Sequence, residues 1–198
     1  FAGWDTRLGG SLGLTQLGGK DYQRYASLNA WITPPLPLPA GWQLSGLTGV
    51  SHVVYPSRAY FDSSLWEARG VLTYQQGPLW LQGSGGYGVD IGNGARAGGN
   101  RHGLFASLSA RAALGGGVLG EVGWLYQNWA GARSYSPGLI DVARRQHTQL
   151  LRAMVSLPLS KEHGLFLEYR TVRNRENISL FAYQSRSVQL GWQWQFGR

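Results

Sequence analysis

The sequence predicts an all-β fold: a transmembrane antiparallel up-and-down β-barrel of about ten strands, forming one domain over residues 1–198. Three observations predict it. Apolar and polar residues alternate at period two through ten segments, with almost no helical stripe. The connections between segments fall into short turns on one rim and long loops on the other. Aromatic residues gather at the ends of the apolar faces rather than in their middles.

The first segment sets the pattern. Trp4, Thr6, Leu8, Gly10, Leu12 and Leu14 share one face, with Asp5, Arg7, Gly9, Ser11, Gly13 and Thr15 on the other. Further strands are expected near 22–33, 42–55, 65–76, 79–91, 103–114, 118–129, 147–158 and 164–172. The last strand is the cleanest, Val188, Leu190, Trp192, Trp194 and Phe196 alternating with Gln189, Gly191, Gln193 and Gln195. Tight turns are expected at Pro34 to Gly41, Gln76-Gly77-Pro78, Gly115-Gly116-Gly117 and Ser160 to His163. Except for the first connection, around Gly18-Gly19-Lys20, the opposite rim carries long loops: Pro56 to Ser64, Gly92 to His102, Ala130 to Gln146 and Arg173 to Ser185.

Composition bounds the answer. The chain has 198 residues with 30 Gly, 9 Trp, 10 Tyr and 6 Phe, and its 43% hydrophobic content excludes disorder. Without Cys it has neither a disulfide framework nor a thiolate metal site. No run approaches the roughly 18 apolar residues of a spanning helix, which excludes a helical membrane protein. Phe1-Ala2-Gly3-Trp4 has neither the basic segment nor the apolar run of a leader, so a mature or trimmed chain is expected. The formal charge is +8, carried by Arg with only Lys20 and Lys161 beside it, a bias toward bidentate anion recognition.

A soluble barrel with its apolar face inside would show the same meander, and three features separate the two. The polar faces mix Arg and carboxylate among Gly and Ser, which fits a narrow watery lumen crossed by ion pairs among Arg7, Glu67, Arg69, Arg111, Glu121, Arg152, Glu168 and Arg170. On the fourth strand, Trp66 and Tyr74 bracket Ala68, Gly70 and Leu72. Eight residues at ~3.3 Å, tilted by about 40°, span about 20 Å, close to the ~25 Å apolar band of an outer-membrane barrel. Trp4, Trp42, Tyr74, Trp194 and Phe196 fall at the short-turn end, and Trp66, Tyr87 and Tyr126 toward the loops. Finally, Arg58, Arg96, Arg101, Arg133, Arg144, Arg145, Arg173 and Arg175 lie in or beside the long loops, where they are expected to face the phosphates of lipopolysaccharide. Nucleic acid is not an expected partner, because aromatics and Arg segregate instead of interleaving.

The segment Val188 to Phe196 resembles the C-terminal strand of Gram-negative outer-membrane proteins, in which alternating apolar residues end in an aromatic. The resemblance implies an outer-membrane location and makes Trp192, Trp194 and Phe196 a signal for the barrel-assembly machinery. Gly197 and Arg198 depart from the pattern by following the aromatic. The stretch from Arg173 to Arg186, after a strand Leu165 to Thr171, is similar to the last hairpin of barrels linked to periplasmic tetratricopeptide domains, such as surface lipoprotein assembly modifiers. That likeness covers the last quarter of the chain and implies an export role with a periplasmic partner. These 198 residues hold no tetratricopeptide segment, so either a chain from which it was removed or a stand-alone relative is expected.

Catalysis is the competing reading. Outer-membrane proteases need a pair of Asp and an Asp-His couple at the loop rim; this chain has no adjacent carboxylate pair, and no catalytic residue, cofactor or metal is assigned. His147 with Asp141, or His52 with Ser51, could be written as a rim base with its partner, making a lipid A or peptide hydrolase the alternative. A surface receptor or adhesin would use the same architecture. His102 and His163 fall at opposite ends and make no metal pair. The run Gly83-Ser84-Gly85-Gly86-Tyr87-Gly88 lacks the Lys-Ser/Thr and helix of a phosphate loop and reads as small residues on a crowded wall. The expected function is a non-enzymatic barrel that anchors or assists an export or surface-assembly system. Its lumen is largely filled, since open channels need about sixteen strands.

Overall fold

The computed structural model describes residues 3–194. Ten strands follow one another: β1 (Asp5–Leu17), β2 (Lys20–Thr33), β3 (Trp42–Val54), β4 (Ser63–Gln76), β5 (Leu79–Gly92), β6 (Arg101–Gly115), β7 (Val118–Ser136), β8 (Ile140–Pro158), β9 (His163–Glu176) and β10 (Tyr183–Trp194). All pair antiparallel in sequence order within one sheet, the up-and-down meander that the alternation predicts. Phe196, counted above with the last strand, lies outside the described residues.

Register turns period two into two chemically distinct faces. Across the ladders Leu12↔Ala26, Leu28↔Val50, Val50↔Trp66, Ala68↔Tyr87 and Tyr87↔Leu104, one face is apolar from strand to strand. It continues through Leu108↔Trp124, Trp124↔Leu151, Ala153↔Tyr169 and Tyr169↔Val188. The large side chains on this face are exposed, Leu12 at 88% and Leu190 at 77%. What is buried lies on the other face, where Val71, Phe105 and Trp129 are covered. That distribution is the inverse of a water-soluble core.

The sheet curls around its polar face. One cavity of about 590 Å³ at the loop end is lined by Tyr22 of β2, Ser51 of β3, Leu65 of β4, Asp90 of β5, Arg101 of β6 and Arg144 of β8. Phe105 and Trp129 meet edge to face on this inner side at 5.2 Å. They fit because the facing wall is glycine: a Cβ on Gly88 would lie 2.8 Å from the Phe105 ring. The Gly-rich run of β5 thus makes room for an inward ring.

Among the described residues β1 and β10 are the ends of the ladder, with no pairing between them. The connections differ from expectation on both rims: residues 34–41, expected as a tight turn, form an eight-residue connection as long as 55–62 and 93–100. The expected long connection of residues 130–146 is mostly an extended hairpin, since β7 and β8 run on to Ser136 and Ile140 with register shifts beyond Ala130. Residues 177–182 are likewise compact, closed by a short 3₁₀ turn at Ser179–Phe181. Polar backbone groups at a rim are satisfied as readily by prolonging a ladder as by looping into water. At the other rim the turns use glycines with positive φ, Gly77 at 54° and Gly116 at 57°.

Gly88→Val should push the Phe105 ring off its seat and cost about 1–3 kcal/mol in denaturant unfolding followed by Trp fluorescence. Gly70→Val, where a Cβ would meet nothing within 4 Å, should cost distinctly less.

Candidate functional site

The candidate site is the loop-end mouth of the curled sheet together with the polar column beneath it. Asp90, the next-to-last inward position of β5, sits opposite Arg101, the first residue of β6. Arg101 Nε donates to Asp90 Oδ2 at 2.6 Å, and Arg96 Nη2, from the connecting loop, donates to the same oxygen at 2.9 Å. The Asp90 side chain is only 4% exposed. The loop holding Arg96 is pinned from several sides. Gly92 N donates to Asn100 Oδ1, Asn93 N to Asp62 O, Ala132 N to Asn100 O, and Arg133 Nη2 to Gly94 O. Gly98 and Gly99, at φ of 74° and 66°, supply the turn conformation it needs.

A second pair closes the β8–β9 side. Arg144 donates two parallel bonds to Glu176, Nε to Oε2 at 2.7 Å and Nη2 to Oε1 at 2.6 Å, the fork geometry that makes guanidinium–carboxylate pairs strong. The Glu176 side chain is fully covered. Asn174 donates to Glu176 Oε1 and to Phe181 O, tying the 3₁₀ turn down, and the Phe181 ring lies under the Arg144 guanidinium at 4.3 Å.

Val89 pairs with Trp66 of the outer aromatic row, so Asp90 and Arg101 lie past the strand segments between the two aromatic rows. Burial pushes the Asp90 carboxyl up, but the guanidiniums of Arg96 and Arg101 outweigh it and hold the group below the usual carboxylate range. Burial lowers Arg101, and the positive charges of Arg96 and Arg144 lower it further, against the raising effect of Asp90. Three guanidiniums thus share two carboxylates at this mouth.

The polar column carries part of the expected ion-pair set. Arg69 Nη2 meets Glu67 at 2.6 Å, and Arg152 bridges Glu168 at 2.7 Å and Glu121 at 3.5 Å. Arg69 also lies 4.7 Å over Phe105 and Arg101 5.0 Å over Trp129, so the ring pair is flanked by cations on both sides. Arg7 pairs with Asp5 at exposed positions near the free edge. Arg111 faces Glu121 across the ladder, and Arg170 faces Arg152, yet neither makes an ion pair among the described residues.

The eight loop arginines separate by phase. Arg96, Arg101 and Arg144 turn inward onto acids, and Arg133 bonds a loop carbonyl. Arg145, Arg173 and Arg175 occupy the apolar-face phase and are exposed, as is Arg58 before its short 3₁₀ turn. Trp192 and Trp194 also lie on the apolar face, stacked 6.2 Å apart with His163 beside them. Sequence reasoning missed the Phe105–Trp129 pair and the role of Asp90. The available signal was phase, since both rings fall on polar-face positions of their strands.

Neither catalytic couple forms. His52 Nδ1 is 2.9 Å from Ser64 Oγ on the apolar face, whereas Ser51 points to the other side. His147 Nδ1 lies 3.3 Å from the Tyr126 hydroxyl, and Asp141 instead accepts from Gly138 N at 2.7 Å. Among the described residues no group of three His, Asp or Glu side chains could hold a metal ion.

Asp90→Asn should loosen the 93–100 loop by about 2–3 kcal/mol, below the full cost of a buried unpaired charge because Arg101 retains solvent contact. Limited proteolysis of that loop measures it. Because the folded carboxyl is depressed, its stabilisation is present above the unfolded carboxylate pKa of about 3.9 and is lost as pH falls through the lower folded value. Loop cleavage should therefore rise on acidification in the wild type, with a smaller increment in Asp90→Asn.

No family model matches the chain, and no curated protein matches it. Among solved structures, it is similar to the beta domain of the Bordetella autotransporter BrkA, with 16% identity and a TM-score of 0.47 over 96% of this chain and 82% of that one.

Proposed function

We propose that the chain is a non-enzymatic integral barrel of the Gram-negative outer membrane that anchors or assists an export or surface-assembly system. The observation that carries the membrane reading is the unbroken exposed apolar face, bounded by Trp42 and Tyr74 at one end and Trp66, Tyr87 and Tyr126 at the other. Burying such side chains in hydrocarbon is worth about 25 cal/mol per Å² of apolar surface, and interfacial rings mark its two limits. Among the described residues no helix is long and apolar enough to cross a membrane; in this reading the strands do the crossing.

The hydrocarbon core offers no partner for a free strand edge, so β1 and β10 pair with each other in the bilayer. An even strand number makes them antiparallel, and both keep their apolar residues on the same face. Inside, the pairs of Arg69 and Arg152, with the Phe105–Trp129 rings, obstruct passage. The alternating pattern from Val188 to Phe196, with Trp192, Trp194 and Phe196, supports recognition by the barrel-assembly machinery, and the export role rests on the likeness of the last hairpin to exporter barrels. The loop face, with Arg58, Arg145, Arg173 and Arg175 exposed, is the side set in lipopolysaccharide.

The native absence of Cys makes the seam directly testable. Cysteines introduced singly at Gly9 and at successive inward positions of β10, Ser185, Ser187 and Gln189, should form an intramolecular disulfide in one combination after refolding into micelles, with heat-modifiable gel migration. A protein that is monodisperse without detergent, or one giving only intermolecular disulfides, would overturn the single-chain barrel. Planar-bilayer conductance should be negligible and should rise in Phe105→Ala; a large wild-type conductance contradicts the filled interior.

A further inference from the structure

We propose that the outward face of β6–β10 is a binding site for a phosphorylated acyl lipid of the lipid A type, with four arginines of β8–β10 holding its phosphates and an apolar groove over β6–β9 below them receiving an acyl chain. The proposal rests on the membrane reading above and names a partner for one part of its loop-end rim.

The first observation is an unpaired cationic patch. Arg145 on β8, Arg173 and Arg175 on β9 and Arg186 on β10 all occupy the outward phase. Arg175 faces His147, Arg173 faces Gln149 and Gln184, and Arg186 faces Thr171. Three neighbouring strands at about 4.8 Å spacing put the four side chains on a patch roughly 10 Å across the strands and about 20 Å along them, from Arg145 beside Asn177 to Arg186 opposite Thr171. None of the four makes an ion pair among the described residues. From residue 143 to the end of β8, and along β9 and β10, the outward positions carry no acid. The contrast with Arg144 is sharp: one residue away in sequence it points inward and binds Glu176 with two bonds. At this rim the inward Arg144 is held by a carboxylate, and the four outward arginines beside it have none.

The second observation is independent of charge. On the same face, nearer the short turns, a groove of about 410 Å³ opens where Ala110, Gly120 and Ala153 leave space between Val122, Leu167 and Tyr169. Tyr169 lies four residues along β9 from Arg173, about 13 Å, and Leu167 about 20 Å. An amphiphile whose head sits at the arginines would therefore run its chain along the strands into the groove. Four guanidiniums without acids match two phosphate groups of about −1.5 to −2 charge each, and guanidinium–phosphate contacts are frequently bidentate. A phospholipid with one phosphodiester would neutralise about a quarter of the patch.

The test uses the refolded full chain in a neutral maltoside micelle, titrated separately with bisphosphorylated lipid A, phosphatidylglycerol and phosphatidylcholine, and read by native mass spectrometry and by the shift in thermal unfolding. Lipid A should be retained and raise the unfolding temperature, phosphatidylglycerol should bind at least tenfold more weakly, and phosphatidylcholine should leave both readouts unchanged. Arg173→Ser/Arg186→Ser should lose at least tenfold in lipid A affinity, whereas the control Arg24→Ser, at an arginine of β2 paired with Asp21, should not. Ala153→Leu, which fills the groove, should weaken fully acylated lipid A more than a deacylated form. Equal retention of lipid A and phosphatidylglycerol, or a double variant that binds like wild type, overturns the site. If the protein inserts but fails these comparisons, the site fails while the membrane reading stands. If it does not enter micelles at all, the membrane reading fails first.

Discussion

Register is the constraint on which everything else rests. Once Leu28 is paired with Val50 and Tyr87 with Leu104, each neighbour along the chain must face the opposite way, and a slip of one residue would exchange the two surfaces wholesale. The nine ladders keep the phase between the aromatic rows, and the register shift of β7 with β8 occurs only beyond Ala130. The chemistry of each arginine follows from that arithmetic, since odd and even positions of one strand lie on opposite faces of the sheet.

Charge is handled differently on the two sides. An inward guanidinium at the mouth loses water as it is covered, and the loss is tolerable only with a carboxylate in hydrogen-bond contact. Arg96 and Arg101 on Asp90, and Arg144 on Glu176, satisfy that condition, with Phe181 and Trp129 adding their ring faces. These contacts also fasten the loop structure: the 93–100 loop is tied by Arg96, and the turn after β9 lies beneath Arg144. The electrostatics of the mouth is therefore the same thing as its mechanical closure.

Much of this was legible in the residues. Alternation placed all ten strands to within a few positions at most ends, and Gly with Pro marked the short turns. The Glu67–Arg69 pair was readable as two neighbours of one phase on one strand, whereas Glu168 turns to Arg152 on β8 and not to Arg170 two residues along its own strand. What was not legible depended on pairing partners that are distant in sequence. Whether Arg144 or Arg145 turns inward depends on where β8 begins, and the residues of the 130–146 connection look loop-like until the ladder extends through them. Phe105 and Trp129 were hidden for another reason. An aromatic on a polar face is affordable only opposite glycine, and that match spans Gly88, Phe105, Gly103 and Trp129 on three strands.

Every ladder joins strands that are consecutive in the chain, which shapes how the protein is made. Nine of the pairings are hairpins that close over a short connection at modest loop entropy, so strands can be added one at a time in the order of synthesis. In the closed form proposed here, only the joining of β1 to β10 brings together residues separated by nearly the whole chain. That step bears the largest loop-closure cost of any single pairing and creates no new hairpin to offset it. It is also the step at which two bare edges disappear, so a catalyst of insertion would accelerate it most by holding the terminal strand in place until the first one arrives.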